Sequence, residues 1–139
     1  MWTYNDNIIE TIPEGTVGFV YHITNLASGK RYVGKKNFYF SKTKQVKGKK
    51  KRIKVESDWK QYWSSSETLK ADVEKLGPES FKREIKFLCK SKAEMSYFEL
   101  REQIDNRVLE SDEWYNDWIS ARIRRIHLTK TFSNICFNS

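Results

Sequence analysis

The sequence predicts a single α+β domain, strands first and helices after. Three observations carry that expectation. Residues 16–24, "TVGFVYHIT", are β-branched and aromatic, and "KRYVGK" resumes the pattern after the turn cluster "NLASG". A third strand-like run, "FKREIKFLC", occupies residues 81–89. Around it lie two segments with apolar residues at helical spacing, "SSSETLKADVEKLG" and "SKAEMSYFELREQIDNRVL".

In chain order, the first two runs form a hairpin. If its pairing is symmetric about Leu26 and Ala27, Tyr21 lies opposite Tyr32. Phe19 and Ile23 then share the face of Tyr21 by the two-residue period, and His22 takes the other face. Residues 35–56 follow as a long basic loop, unusual in length for a connection inside a compact domain. "ESDWKQYW" holds a short helix capped by Ser57 or Asp58. The next helix places Leu69, Val73 and Leu76 on one face and stops at Gly77, where Pro78 blocks continuation. After the third strand, Ser91 with Glu94 three residues on makes a capping box, opening a helix whose buried stripe includes Met95, Phe98, Ile104 and Val108. Trp114, Trp118 and Ile119 are further expected core. From about residue 119 the chain continues as a basic extension or tail.

Composition fixes the broad class. The 139 residues suffice for one domain of ~100–150 residues, and 14% aromatic content is far above that of chains that stay disordered. No apolar run approaches the ~18–20 residues that span a bilayer, and "MWTYNDNIIE" has neither the basic start nor the apolar core of a signal peptide, so membrane and secreted classes fall away. Cys89 and Cys136 are too few for a disulfide framework, which fits a cytoplasmic protein in a reducing cytosol.

The charge is concentrated. Ten of the 26 basic residues lie between positions 35 and 55 with no acid among them: Lys35, Lys36, Lys42, Lys44, Lys47, Lys49, Lys50, Lys51, Arg52 and Lys54. The rest of the chain holds 16 bases against 18 acids, so the net charge of +8 is essentially this patch. A dense cationic patch attracts polyanions and gains affinity by releasing condensed counterions, which makes nucleic acid the leading partner. Phe38, Tyr39 and Phe40 precede it, and Trp59, Tyr62 and Trp63 follow, as rings for bases or for the core. Arg122, Arg124 and Arg125 form a second, smaller basic cluster, with His127 beside it.

"GFVYHITNLASGKRYVGKKNF" resembles the opening motif of the GIY-YIG nucleases, with Phe19-Val20-Tyr21 where that family has GIY and Tyr32-Val33-Gly34 where it has YIG. The following helix, strand, Glu-bearing helix and Tyr115-Asn116 pair match the family's order of elements, over roughly residues 17–118. "ESDWKQYWSSS" and "YFELREQ" are similar in particular to small phage-borne homing-type members. The resemblance implies a small three-stranded antiparallel sheet flanked by helices, and a phosphodiesterase dependent on Mg²⁺ or Mn²⁺. It carries Glu99 over as the metal-holding carboxylate, with Glu102 as competitor, and Tyr21 as general base or water-orienting phenol, with Tyr32 as its partner. Asn116 is carried over as a brace. One carboxylate suffices because Mg²⁺ keeps most of its waters. Unperturbed phenols titrate near ~10, so either would need tuning to act as a base at neutral pH, and burial alone pushes the wrong way.

The chain departs from the family at two places. Where an Arg usually grips the scissile phosphate it has Lys42, with Lys35 and Lys36 ranked ahead because they sit at a strand end; each is a point cation without the bidentate guanidinium. Ser64 stands where some members carry His, with Tyr62 as substitute. The expected function is a DNA endonuclease, monomer or homodimer, of phage or mobile-element origin, leaving 5′-phosphate and 3′-hydroxyl ends. About twenty residues follow Trp118, where homing members carry a recognition domain, so high specificity is not expected of a monomer. The rival expectation is a non-catalytic module binding DNA or RNA on the same fold.

Overall fold

A computed structural model describes residues 1–119. Its main sheet has five strands, ordered β2-β1-β7-β3-β4, and a separate two-stranded sheet joins β5 and β6. The expected three antiparallel strands are its β3 (Gly18–Asn25), β4 (Arg31–Asn37) and β7 (Phe81–Cys89). The sheet is larger than the sequence foretold. β1 (Trp2–Tyr4) runs parallel to β7, and β2 (Asn7–Ile8) folds back on β1, which makes the sheet mixed. Strands of three and two residues are too short to show any periodicity.

The hairpin register also differs from expectation. Tyr21 pairs with Gly34, and Tyr32 pairs with Ile23. The cause is the turn, where the Asn25 side chain accepts hydrogen bonds from Ala27 N (3.0 Å) and Ser28 N (3.2 Å), centring the loop later than a tight turn at Leu26 and Ala27 would. The slip is two residues, an even number, so both tyrosines keep their common face. A bulge between β3 and β7 at Val20/Tyr21 explains the imperfect alternation of β7: Arg83 and Ile85 sit on the tyrosine face before it, Leu88 after it.

Two layers cover the sheet. On the tyrosine face, α1 (Glu67–Leu76) contributes Leu69 and Val73, packing with Trp2, Phe19, Phe38, Trp59 and Ile85. Ser66 caps it by accepting from Leu69 N, and Gly77 follows its last residue. Before it, the expected short helix is a single 3-10 turn, Trp59–Gln61, preceded by Asp58. On the other face, α2 (Lys92–Asp105) begins at the predicted cap Ser91 and lays Met95 against Val20, Val33 and Cys89. Three expected core residues are exposed: Leu76 and Ile104 at the outer ends of their helices, and Trp118 at 49%. Val108 is buried, but beyond the end of α2.

The basic segment is not an irregular loop. β5 (Tyr39–Val46) and β6 (Lys49–Glu56) pair residue for residue into an antiparallel ribbon. Its two-residue turn, Lys47-Gly48, has positive φ at both positions (51° and 75°), the backbone that lets a tight hairpin follow the twist of its strands. Lysine on both faces hides the alternation by which a strand is recognised.

Candidate active site

Tyr21 on β3 and Tyr32 on β4 project from one face as diagonal neighbours, ring centroids 6.1 Å apart. Tyr21 is buried, held edge-on by Trp2 (5.1 Å) and Tyr62 (6.1 Å). Gly34 lies directly opposite it. A Cβ there would stand 2.5 Å from the Tyr21 hydroxyl and 2.6 Å from Cζ, so the bare glycine is what lets the phenol lie across β4.

β4 is an edge strand, and an edge exposes unpaired backbone groups. The late segment 113–116 satisfies them. Arg31 N donates to Glu113 O (3.0 Å) and Tyr115 N to Arg31 O (2.7 Å), the start of a parallel ladder. Asn116 then replaces the backbone: its Oδ1 accepts from Val33 N (3.1 Å) and its Nδ2 donates to Val33 O (2.8 Å). A carboxamide has the donor and acceptor of a peptide group, so this buried side chain continues the ladder one step along the edge, between Tyr32 and Gly34.

Around that edge the two faces of the sheet meet in a cavity of about 310 Å³. Tyr21, Tyr32, Tyr62 and Ser65 enter from the first face; Glu99 and Gln103 of α2, with Lys35, enter from the second, and Trp118 also lines it. Glu99 is 7% exposed, an unusual place for a carboxylate. Lys35 Nζ stands 3.9 Å from its Oε1 and donates to Ser96 Oγ at 2.9 Å. The pair is looser than a hydrogen bond, and both side chains line the cavity. Opposite them are the hydroxyl-bearing side chains. Tyr62 stands edge-on to the Tyr21 ring, and Ser65 Oγ lies 3.3 Å from the Tyr32 hydroxyl.

Burial sets the protonation of these phenols. It holds Tyr21 well above the usual phenol range, an effect that the neighbouring Tyr32, Tyr62 and Glu99 reinforce. Burial likewise raises Tyr32, to about 12, against the Ser65 hydrogen bond that lowers it. Tyr62 is also raised by burial. All three are proton-bearing donors through the neutral range.

The other sequence candidates fall elsewhere. Glu102 turns away from the cavity: its Oε1 accepts from His22 Nε2 at 3.0 Å, beneath the sheet. Arg31 donates to His22 Nδ1 at 2.6 Å, which fixes the neutral tautomer, and burial, then Arg31 and Lys86, lower His22 to about 3. Lys36 is tied to Asp58 (2.7 Å) and lies 4.1 Å over the Tyr62 ring, behind the cavity wall. Lys42, Lys44, Lys47, Lys49, Lys50, Lys51, Arg52 and Lys54 stand exposed on the ribbon. Ser64, buried at φ 86°, accepts from Ser66 N and lines no part of this cavity. Arg122, Arg124, Arg125 and His127 lie outside the described residues. Sequence reasoning passed over Ser65 and Gln103, although Gln103 lies one helical turn beyond Glu99 and shares its face by spacing alone.

A family profile described as "Putative endonuclease segE, GIY-YIG domain" matches residues 2–119. The chain belongs to the GIY-YIG nuclease superfamily. Among curated proteins and among solved structures no match is found. The match covers every described element, from β1 through the segment bearing Asn116. The two motifs for which the GIY-YIG superfamily is named are here the facing strands β3 and β4. As members of an endonuclease domain family, these strands belong to a protein whose substrate is nucleic acid. Among the described residues, no helix is long and apolar enough to cross a membrane.

Proposed function

We propose that this chain is a divalent-metal-dependent DNA endonuclease that hydrolyses phosphodiester bonds in the cavity at the β4 edge. The observation that carries the reading is convergence: Tyr21, Tyr32, Lys35 and Glu99, from three different elements, line one water-accessible cavity.

The donor set fits a hard, hydrated cation. Among the described residues no group of three or more His, Cys, Asp or Glu side chains gathers into a closed metal cage. Mg²⁺ does not need one, since it retains several waters and is commonly held by one or two carboxylates together with substrate phosphate. Glu99 is the residue that would hold it. Bound there, the ion supplies positive charge to the non-bridging oxygens and acidifies water.

The rest follows from this chain's own groups. Lys35 places an ammonium on the same wall, where it offsets charge gathering on the phosphate. Tyr21 and Tyr32, kept protonated by burial, orient the attacking water and donate hydrogen bonds, which favours the water-orienting role over that of a free base at neutral pH. Asn116 acts through β4, fixing the strand that presents Tyr32.

The test is nicking of supercoiled plasmid with Mg²⁺ or Mn²⁺. Glu99→Gln is expected to lower the rate by at least about 10²-fold while DNA binding in EDTA persists. A parent chain that shifts DNA in a gel but never nicks it with either metal refutes the enzymatic reading and leaves a binding module.

A further inference from the structure

Among the described residues the β5–β6 ribbon pairs with no strand of the main sheet, and 13 of its 16 strand residues are exposed, all but Tyr39, Ile53 and Val55. Eight-residue strands reach about 26 Å at ~3.3 Å per residue. Resting on the nuclease reading for its class of partner, we infer that this ribbon is an arm that enters the major groove of double-stranded DNA.

Charge is the first argument. Seven of the ribbon's strand residues are Lys or Arg, an eighth cation sits at the turn, and the only acid is Glu56 at the root, which accepts from Trp59 Nε1 at 2.9 Å. Lys44 stands directly across from Lys51. Like charges so placed destabilise a two-stranded ribbon, which is itself marginal without further strands, and a polyanion relieves that repulsion.

Shape is the second argument. The major groove of B-form DNA, about 12 Å wide, admits a two-stranded ribbon, whereas that of A-form RNA is too narrow for side chains to read. The two faces differ in chemistry. Pairing puts Thr43 with Arg52 and Gln45 with Lys50 on one face, groups that reach base edges through hydrogen bonds. Lys44, Lys51 and Lys49 fall on the other, from which flexible ammoniums reach the phosphates on either rim.

Position is the third argument. The ribbon is rooted by Ser57 N donating to Phe38 O (2.8 Å), with Phe38 in the core. At the root, Lys36 Nζ lies between the rings of Phe40 (4.8 Å) and Tyr62 (4.1 Å), and Tyr62 is a wall of the cavity. A duplex held by the ribbon therefore lies beside the place where Glu99 and the phenols meet.

Binding is measured in EDTA, which separates it from cleavage, using the full chain and 25-bp duplexes of DNA and of RNA of the same sequence. The DNA duplex is expected to bind at least tenfold more tightly than the RNA duplex and to show guanine N7 protected from dimethyl sulfate. Replacing Lys49, Lys50, Lys51 and Arg52, all exposed, by Ala is expected to remove that protection. It should also lower the salt slope by up to about 3.6, at roughly 0.9 for each phosphate no longer neutralised. Equal affinity for both duplexes, or binding without N7 protection, overturns the groove assignment; if plasmid nicking is intact, the nuclease reading stands. Protection without nicking under any metal does the reverse, sustaining the arm and refuting the enzyme.

Discussion

Gly34→Ala tests the site at the point where backbone and chemistry are most tightly joined. The added methyl would stand 2.5 Å from the Tyr21 hydroxyl, 2.6 Å from Cζ and 2.8 Å from a ring carbon of Tyr32. Ordinary carbon contacts begin near ~3.5 Å, so something must yield by about 1 Å. Tyr21 has little freedom to yield, since Trp2, Phe19 and Tyr62 surround its ring at 5.1 to 6.1 Å. The strain is expected to cost about 1–3 kcal/mol of stability, read as a lower urea midpoint. Displacing the phenols by that distance is expected to cost on the order of 10²-fold in single-turnover nicking, more than the stability loss explains at temperatures where the variant is folded. Circular dichroism establishes the folded fraction and plasmid relaxation gives the rate. A folded Gly34→Ala chain that nicks at the parental rate refutes the role given to the two phenols.

Asn116→Asp keeps the shape of the side chain but loses the donor to Val33 O, leaving that buried carbonyl unpaired beside a carboxylate. A destabilisation of about 1–3 kcal/mol is expected by thermal melting, with nicking lowered further at a temperature where the variant is folded. His22 is held neutral in the fold, lowered to about 3 from an ordinary value near ~6.5. Between these values the unfolded chain binds the proton that the folded chain refuses, so stability falls as pH drops through this window. Urea midpoints from pH 7 to 4 should show a shallower decline in His22→Gln than in the parent, and parallel declines would contradict the buried neutral imidazole. Lys35→Met removes the ammonium from the cavity wall without altering the ribbon. It is expected to slow nicking by about 10-fold or more with DNA affinity in EDTA little changed, and a loss confined to affinity would place Lys35 among the general phosphate-binding cations.

Much of the site was legible because its signals are local and parity-based. The sequence bounds strand β7 by its run of apolar residues and the start of α2 by the Ser91 cap, and Tyr21 and Tyr32 share a face in either register because the slip between them is even. What escaped depends on neighbours remote in sequence. β1 is a strand only because β7 lies beside it, and nothing in "WTY" alone says so. Trp118 was assigned to the core on hydrophobicity, yet it borders the cavity, half exposed. The ribbon reads as a loop because cationic residues occupy both its faces, although Thr43, Val46, Ile53, Val55 and the Lys47-Gly48 turn are the residues of a hairpin.

The closure of β4 by Asn116 bears on the order in which the cavity is completed as the chain is made. The groups that meet at the cavity stretch from Tyr21 to Trp118, and the last pieces of the edge, 113–116, come late in the translation of this domain. A nascent chain short of them has both phenols yet no clamp on the strand that holds the second one. On the nuclease reading proposed above, competence to cut would arrive only once the domain is nearly whole.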